Sequence, residues 1–252
     1  MIFADFEQAF DSLDHNFMKK TLSAFNFGDT FIKWISLFYN DSKSCIYNNG
    51  HMSDFFRVER GVRQGCPLSP YVFITCIEIL SHLVDSDENI KGITIVENQI
   101  KNTMFADDAT FITDGSKSSI ESLFKQIDMF GSVSGLNLNK NKTTILRCGS
   151  LKNTTFTCCN DKKFNWTSEK ATTLGIVFSN NKNDISENNL IPKVNQFIEC
   201  LSKWKRHNLS PIGKICVLKT FAMPKLIFPL TMLEKPKNEI IKVIKDAMFN
   251  FL

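Results

Sequence analysis

The sequence has few histidines, no Cys-x-x-Cys pair and no uninterrupted apolar run, and each shortage removes a class of protein. Its four histidines (His15, His51, His82 and His207) are dispersed, so they suggest no ligand set for a metal. The eight cysteines (Cys45, Cys66, Cys76, Cys148, Cys158, Cys159, Cys200 and Cys216) are scattered, and no signal-like apolar stretch opens the chain. Reduced thiols in an intracellular compartment, nucleus or cytoplasm, are therefore expected, rather than a secreted disulfide framework. The longest apolar stretch, Ile215 to Leu233, is broken by Lys219, Pro224, Lys225 and Pro229, which argues against a single membrane span. Internal repeats and extended low-complexity segments are also missing. What is present is ordinary globular material: 252 residues, 43% hydrophobic and 22% charged, enough for a sizeable core in at most two domains.

The net charge is only +4, but it is unevenly spread. Up to Ile191 there are 19 basic and 22 acidic residues; from Pro192 onward there are 11 and 4, a balance of −3 against +7. A polyanion would be drawn mainly to the C-terminal part, although a Lys-rich solvated face gives the same count.

Met1-Ile2-Phe3-Ala4 reads as a buried strand running into Asp5, with nothing before it to pair with, so the chain reads as truncated at its front. Helices are expected around Phe17–Phe25 and Phe31–Tyr39, the second burying Phe31, Trp34, Ile35 and Phe38 as one face. Asn48-Asn49-Gly50 suits the tight turn of a hairpin between Cys45–Tyr47 and Phe55–Val58. Ser69-Pro70 reads as an N-cap and first helical position, leading into an apolar helix over Tyr71–Leu83. Thr103 to Thr113 reads as two short strands joined at Asp107-Asp108. Ile120, Leu123, Phe124, Ile127 and Phe130 then stripe a helix that ends near Gly135. A strand at Thr144–Leu146 follows, and the Ser, Asn and Asp-rich stretch Ser179–Asn189 marks a domain boundary, beyond which Ile191, Val194, Ile198 and Leu201 resume a helical stripe.

The chemistry-bearing feature is a strand ending in Asp5 together with a strand-turn-strand that presents Asp107 and Asp108 between Phe105 and Phe111. Carboxylates buried among phenylalanines would cost several kcal/mol each unless compensated, on the order known for buried ions. A divalent metal is the simplest compensation, and oxygen-only ligands favour Mg²⁺ or Mn²⁺ over zinc. An exposed hairpin turn, where aspartates are common, accounts equally well for Asp107-Asp108 taken alone.

Three segments carry a specific resemblance: Phe3-Ala4-Asp5-Phe6-Glu7-Gln8-Ala9-Phe10-Asp11, Arg60-Gly61-Val62-Arg63-Gln64-Gly65-Cys66-Pro67-Leu68-Ser69-Pro70, and Phe105-Ala106-Asp107-Asp108. In content, order and spacing they resemble successive motifs of reverse transcriptases from non-LTR, LINE-type retrotransposons. Gly135-Leu136-Asn137-Leu138-Asn139 with Lys142, the Thr173-Leu174-Gly175 strand, and Leu209-Ser210-Pro211-Ile212-Gly213-Lys214 are similar to that family's later palm motifs and thumb.

The resemblance implies an α+β fold, an antiparallel palm sheet with helices on one face, followed by a helical thumb. Palm is expected over residues 1–189, with 14–60 as an insertion on the fingers side, and thumb over 190–252, while most of the fingers would be missing. The implied reaction is RNA-directed DNA synthesis on an RNA template, from a DNA primer and dNTPs. Asp5 and Asp107 would hold two Mg²⁺ ions, supported by Asp108 and the Phe6 carbonyl. Lys142 would protonate the leaving pyrophosphate, Phe10 would act as a steric gate against ribonucleotides, and Gln64 and Gly65 would lie against the incoming nucleotide, with Arg63 near the template. Lys203, Lys205, Arg206 and Lys214 would grip a nucleic-acid backbone, with Trp204 in the core instead. The main alternative is a remnant that only binds nucleic acid or a partner; an RNA-dependent RNA polymerase fits Phe10 and Phe105-Ala106-Asp107-Asp108 poorly.

Overall fold

The structure is a computed structural model and describes residues 1–152 and 164–252, so Cys158 and Cys159 lie outside the described residues. The chain forms two compact units, Met1–Ser168 and Glu169–Leu252. In order, the first unit carries β1 (Ile2–Ala4), α1 (His15–Ala24), α2 (Asp29–Tyr39), α3 (Ser69–Ser86), β2 (Asn102–Phe105), β3 (Asp108–Phe111), α4 (Lys117–Ser134), β4 (Thr144–Leu146) and β5 (Asn165–Thr167).

These five strands make one sheet in the order β5-β4-β1-β3-β2. Four are antiparallel as expected; β5 pairs with β4 in parallel, so the sheet is mixed. Because side chains alternate across a strand, register decides what each face carries. Ile2 lies opposite Phe111 and Ile145, and Ala4 opposite Ala109. This face is packed into one core with Phe73, Ile77 and Leu80 of α3 and with Leu123, Ile127 and Phe130 of α4. Burying each such side chain fully contributes roughly 1.5–3 kcal/mol relative to leaving it in water.

Local chemistry fixes the helix ends. The Asp14 carboxylate accepts from the Asn16 and Phe17 amides at the start of α1, and the Ser116 hydroxyl caps α4. Helix α4 ends as expected at Gly135, whose φ of 81° is left-handed, and any β-carbon there would meet the Ser12 carbonyl oxygen. The buried Lys101 ammonium, at the threshold of β2, donates to the Asp85 and Asp87 carbonyls, both at 2.8 Å, at the end of α3. Asp87 in turn accepts from Ser122 (2.6 Å) and Gln126 (2.8 Å) of α4, and these bonds hold its carboxyl well below the usual carboxylate range.

Several sequence expectations change. In α2 Ile35 is buried as expected, with Tyr39 one turn on, whereas Phe31, Trp34 and Phe38, expected on the same inward face, are 36%, 59% and 49% exposed. The hairpin turn after it is tighter: Tyr47–Asn48 pairs with His51–Met52 around Asn49-Gly50, both at positive φ, and Lys43–Ser44 pairs separately with Phe56–Arg57. Ser69 is the first residue of α3 and not its cap; its hydroxyl is buried against the Tyr39 hydroxyl at 3.4 Å.

The second unit opens with a hairpin, β6 (Lys170–Thr173) and β7 (Ile176–Ser179), and continues with α5 (Lys182–Lys205), α6 (Pro211–Val217), α7 (Pro224–Met232) and α8 (Asn238–Phe251). Thr173-Leu174-Gly175 is thus a turn rather than a strand, with Leu174 and Gly175 both at positive φ. The polar stretch expected to end the first domain at 189 lies within this unit, most of it in α5. Its polarity has a local use: the Asn189 amide accepts from the Val177 N–H at 2.7 Å and donates to the Val177 and Ile185 carbonyls, tying α5 to β7. Phe197, Leu201, Val217, Leu226 and Phe251 form a separate core, with Trp204 packed against it as expected. Among the described residues no single helix is long and apolar enough to cross a membrane; Pro211–Ala222 and Pro224–Met232 reach that length only as a pair bent by 47°.

Candidate active site

Asp5 follows the last residue of β1, and Asp108 is the first residue of β3. Since Ala4 pairs with Ala109, the next step of the antiparallel register sets Asp5 beside Asp108, with both side chains leaving the sheet face opposite the helices. Asp107 stands in the two-residue turn between β2 and β3, where Phe105 pairs with Asp108 and Ala106 takes a left-handed φ of 52°. The turn therefore falls at Ala106-Asp107, one residue earlier than expected. The same alternation separates the flanking rings: Phe111 points into the core and is fully buried, while Phe105 shares the acids' face and is 66% exposed. Asp107 and Asp108 are accordingly exposed, and the premise that phenylalanines bury them does not hold.

Partial burial, and after it the negative charges of Asp107 and Asp5, raise the Asp108 carboxyl above its ordinary value. Three carboxylates from two distant segments thus share one local field. Among the described residues no group of three or more acidic, histidine or cysteine side chains is placed to hold a metal ion by itself. The set still fits a hard cation of the Mg²⁺ type, which takes one or two protein carboxylates and completes its shell with water and substrate phosphate.

The residues around Asp5 are fixed by the segment after α4. The Asp5 carbonyl accepts from the Asn139 N–H at 2.7 Å, its N–H points to the buried Thr143 hydroxyl at 3.4 Å, and the Glu7 N–H donates to the Asn137 carbonyl at 2.9 Å. These bonds flank an antiparallel Phe6–Leu138 bridge, which leaves the amide and carbonyl of Phe6 itself turned away from Leu138. The Phe6 ring is buried in the core. Lys142 is exposed and lines the same polar pocket as Asp5, Glu7, Asn137 and Asn139. Phe10 is half-buried, with its ring stacked on Phe73 at 4.6 Å and 12°.

The second motif is a loop braced against these elements. The Gly61 and Val62 amides donate to the Leu13 and Phe10 carbonyls at 2.8 and 2.6 Å. Gly61 has φ 87°, and a β-carbon there would come within 2.7 Å of the Asp11 backbone. Gly65 also has positive φ, 79°, but faces open space beside the exposed Gln64. Arg63 donates to the Ser42 hydroxyl (2.8 Å) and the Phe38 carbonyl (3.3 Å), so its guanidinium is engaged within the chain.

Three of the four cations expected to grip nucleic acid have partners within the second unit. Lys203 pairs with Glu199 at 2.7 Å, Lys205 donates to the Asn250 carbonyl at 3.0 Å, and Lys214 donates to the Leu252 carbonyl at 2.9 Å. Arg206 is exposed. Thr143 and His15 carry no signal in the sequence, yet each bonds a motif backbone.

A helix-backed sheet with Asp5 and Asp108 at two neighbouring strand ends on its open face, and Asp107 in the adjoining turn, belongs to the class of right-hand polymerase palms. The apo telomerase of Candida tropicalis shares the fold, with a TM-score of 0.51 at 15% identity over 99% of this chain and 41% of that one. Residues 1–178 match the sequence profile of the reverse transcriptase (RNA-dependent DNA polymerase) family, and the chain belongs to that family. It is 27% identical over 98% of its length to the transposon TX1 uncharacterized 149 kDa protein of Xenopus laevis. It is 33% identical over 55% of its length to the retrovirus-related Pol polyprotein from type-2 retrotransposable element R2DM of Drosophila melanogaster. The resemblance to non-LTR, LINE-type enzymes therefore holds. The chain spans 19% and 13% of the length of these two relatives. Enzymes of the family copy RNA and generally work with divalent metal ions.

Proposed function

We propose that this chain carries the polymerase centre of a non-LTR retrotransposon reverse transcriptase, extending a DNA primer 3′-hydroxyl with dNTPs on an RNA template. The observation that carries the reading is the placement of Asp5 beside Asp108 across the β1–β3 register, with Asp107 in the adjoining turn. Asp5 and Asp107 are the proposed ligands of two Mg²⁺ ions, or Mn²⁺ in their place, with Asp108 and the Phe6 carbonyl in support. When bound, such a pair activates the primer hydroxyl and neutralises the triphosphate during in-line displacement. The chain's own residues position the partners: the 61–65 loop presents Gln64 and an unobstructed Gly65 backbone to the nucleotide, with Arg63 orienting that loop or touching the template. Phe10, backed by Phe73, sets a rigid wall against the sugar. Lys142, which lines the same polar pocket as Asp5, is the proposed donor of a proton to the departing pyrophosphate. Arg206, with contributions from Lys203, Lys205 and Lys214, is the proposed backbone contact of the second unit. A nuclear or cytoplasmic setting is part of the proposal.

The test is primer extension on an RNA template, with and without Mg²⁺. Asp5→Ala and Asp107→Ala should each lower extension by about a thousandfold or more, the scale on which charge stabilisation acts in such reactions. Activity that survives either change sinks the assignment. RNA binding without any extension by the unaltered chain would favour the nucleic-acid-binding alternative.

A further inference from the structure

We infer that His15 is a positioning residue for the loop that carries Gln64 and Gly65, a role that rests on the polymerase reading above. His15 is the first residue of α1, held in place on both sides. Asp14 caps that helix, and the Asp14 N–H donates to the Ser134 carbonyl at 2.8 Å at the end of α4. From this fixed base the imidazole Nε2 reaches the Gly61 carbonyl at 2.8 Å. A carbonyl only accepts, so Nε2 carries the proton and neutral His15 is the Nε2–H tautomer.

Gly61 is the point where the loop is least able to shift. Its left-handed φ and its approach to the Asp11 backbone leave room for no side chain, and the amides of Gly61 and Val62 are already bonded to Leu13 and Phe10. His15 satisfies the carbonyl on the other side of the same residue. Its ring also contacts that of Tyr39, with centroids 5.1 Å apart, and the buried Tyr39 hydroxyl meets Ser69 where the loop becomes α3. Arg63 anchors the middle of the loop to Phe38 and Ser42. The span between Gly61 and Ser69 is therefore pinned at its start, its middle and its end, while Gln64 and Gly65 remain exposed or open between the pins. The first pin is attached to the segment that also holds Asp11 and Phe10, so His15 links the carboxylate-bearing strand end to the nucleotide-facing loop. A loop held this way presents its backbone at a fixed distance from the triphosphate, which is how binding energy is converted into orientation.

Amide hydrogen exchange on the full chain, paired with steady-state kinetics on dNTP, tests the role. His15→Leu keeps bulk and removes the donor; His15→Gln keeps an N–H donor on a side chain of similar reach. In His15→Leu the Gly61, Val62 and Cys66 amides should exchange roughly tenfold faster, the scale of one lost hydrogen bond, while amides of Lys117–Ser134 keep their rates. The KM for dNTP should rise with kcat near that of the unaltered chain, and His15→Gln should restore both measurements. Unchanged exchange at 61–66, or faster exchange spread equally into Lys117–Ser134, overturns the proposal, as does an unchanged KM. If the unaltered chain extends no primer, the polymerase reading fails, and the exchange pattern still decides whether His15 pins the loop.

Discussion

Gly61 and Asp11 are pressed together so closely that a single added carbon on Gly61 would stand 2.7 Å from the Asp11 α-carbon. This contact joins the segment after Asp5 to the loop bearing Gln64, two stretches about fifty residues apart in sequence. Gly65, four residues on, also has a left-handed φ, but a carbon added there would meet nothing within 4 Å.

The two glycines should therefore separate stability from activity. Gly65→Ala meets only the left-handed backbone cost, about 1–2 kcal/mol, and should lose more in dNTP affinity than in stability. Gly61→Ala adds a backbone collision and should cost a further ~1–3 kcal/mol. Thermal unfolding of both variants, beside dNTP titrations, checks the order; equal destabilisation would mean that the Asp11 contact yields freely.

Phe10→Ala removes a ring stacked on Phe73 and should destabilise the chain by about 2 kcal/mol, less than a fully buried phenylalanine. It should also admit ribonucleotides more readily, read as the ratio of kcat/KM for dNTP and NTP. Sugar discrimination that stays constant would reduce Phe10 to packing alone.

For nucleic-acid binding, Arg206→Ala should weaken RNA affinity and lower the slope of log affinity against log salt by about 1. Lys205→Ala and Lys214→Ala should act chiefly on the end of α8, where they hold the carbonyls of Asn250 and of Leu252 just beyond the helix, and appear as fraying of Asn238–Phe251 in hydrogen exchange. A salt slope that falls equally for all three would show that the internal bonds are given up on binding.

Asp87 supplies a pH dependence of known sign. Its carboxyl is lowered by hydrogen bonds from Ser122 and Gln126, so protons bind the unfolded chain more readily than the folded one. The contribution is complete above the ordinary value of 3.8 and is lost as pH falls through the lower folded value. Asp87→Asn should cost about 1–2 kcal/mol at neutral pH and much less in strong acid. Denaturant midpoints of both chains between neutral and acid pH provide the measurement, and a constant difference would contradict it.

Much of the site was legible because it obeys local rules. Aspartates closing or opening short apolar strands, a glycine after the α4 stripe and a polar 48–50 turn each announce a backbone conformation without reference to the rest of the chain. Some misses are local, such as the turn at Ala106-Asp107, one residue earlier than expected; the larger ones are tertiary. Phe31, Trp34 and Phe38 have the spacing of an inward face, but which face of α2 turns inward is set by where Ile35 and Tyr39 dock, and apolar spacing alone does not say so. Lys205 and Lys214 look like solvated cations until α8 brings carbonyls to them. The dispersal of the four histidines hides the use of His15, which depends on a carbonyl forty-six residues away. The polar run before Asn189 resembled a linker because composition does not reveal that one asparagine amide stitches a helix to a hairpin.

The placement of β1 has a consequence for how the protein is made. Its neighbours in the sheet are Asp108–Phe111 on one side and Thr144–Leu146 on the other, so the strand that carries Asp5 emerges from the ribosome long before either partner exists. Closure of so distant a pairing is slow, and until residue 146 is synthesised that apolar strand has no permanent place. Assembly of the acidic cluster is thus a late event, coupled to completion of the sheet, and an interrupted translation product leaves Asp5 without the strands that flank it.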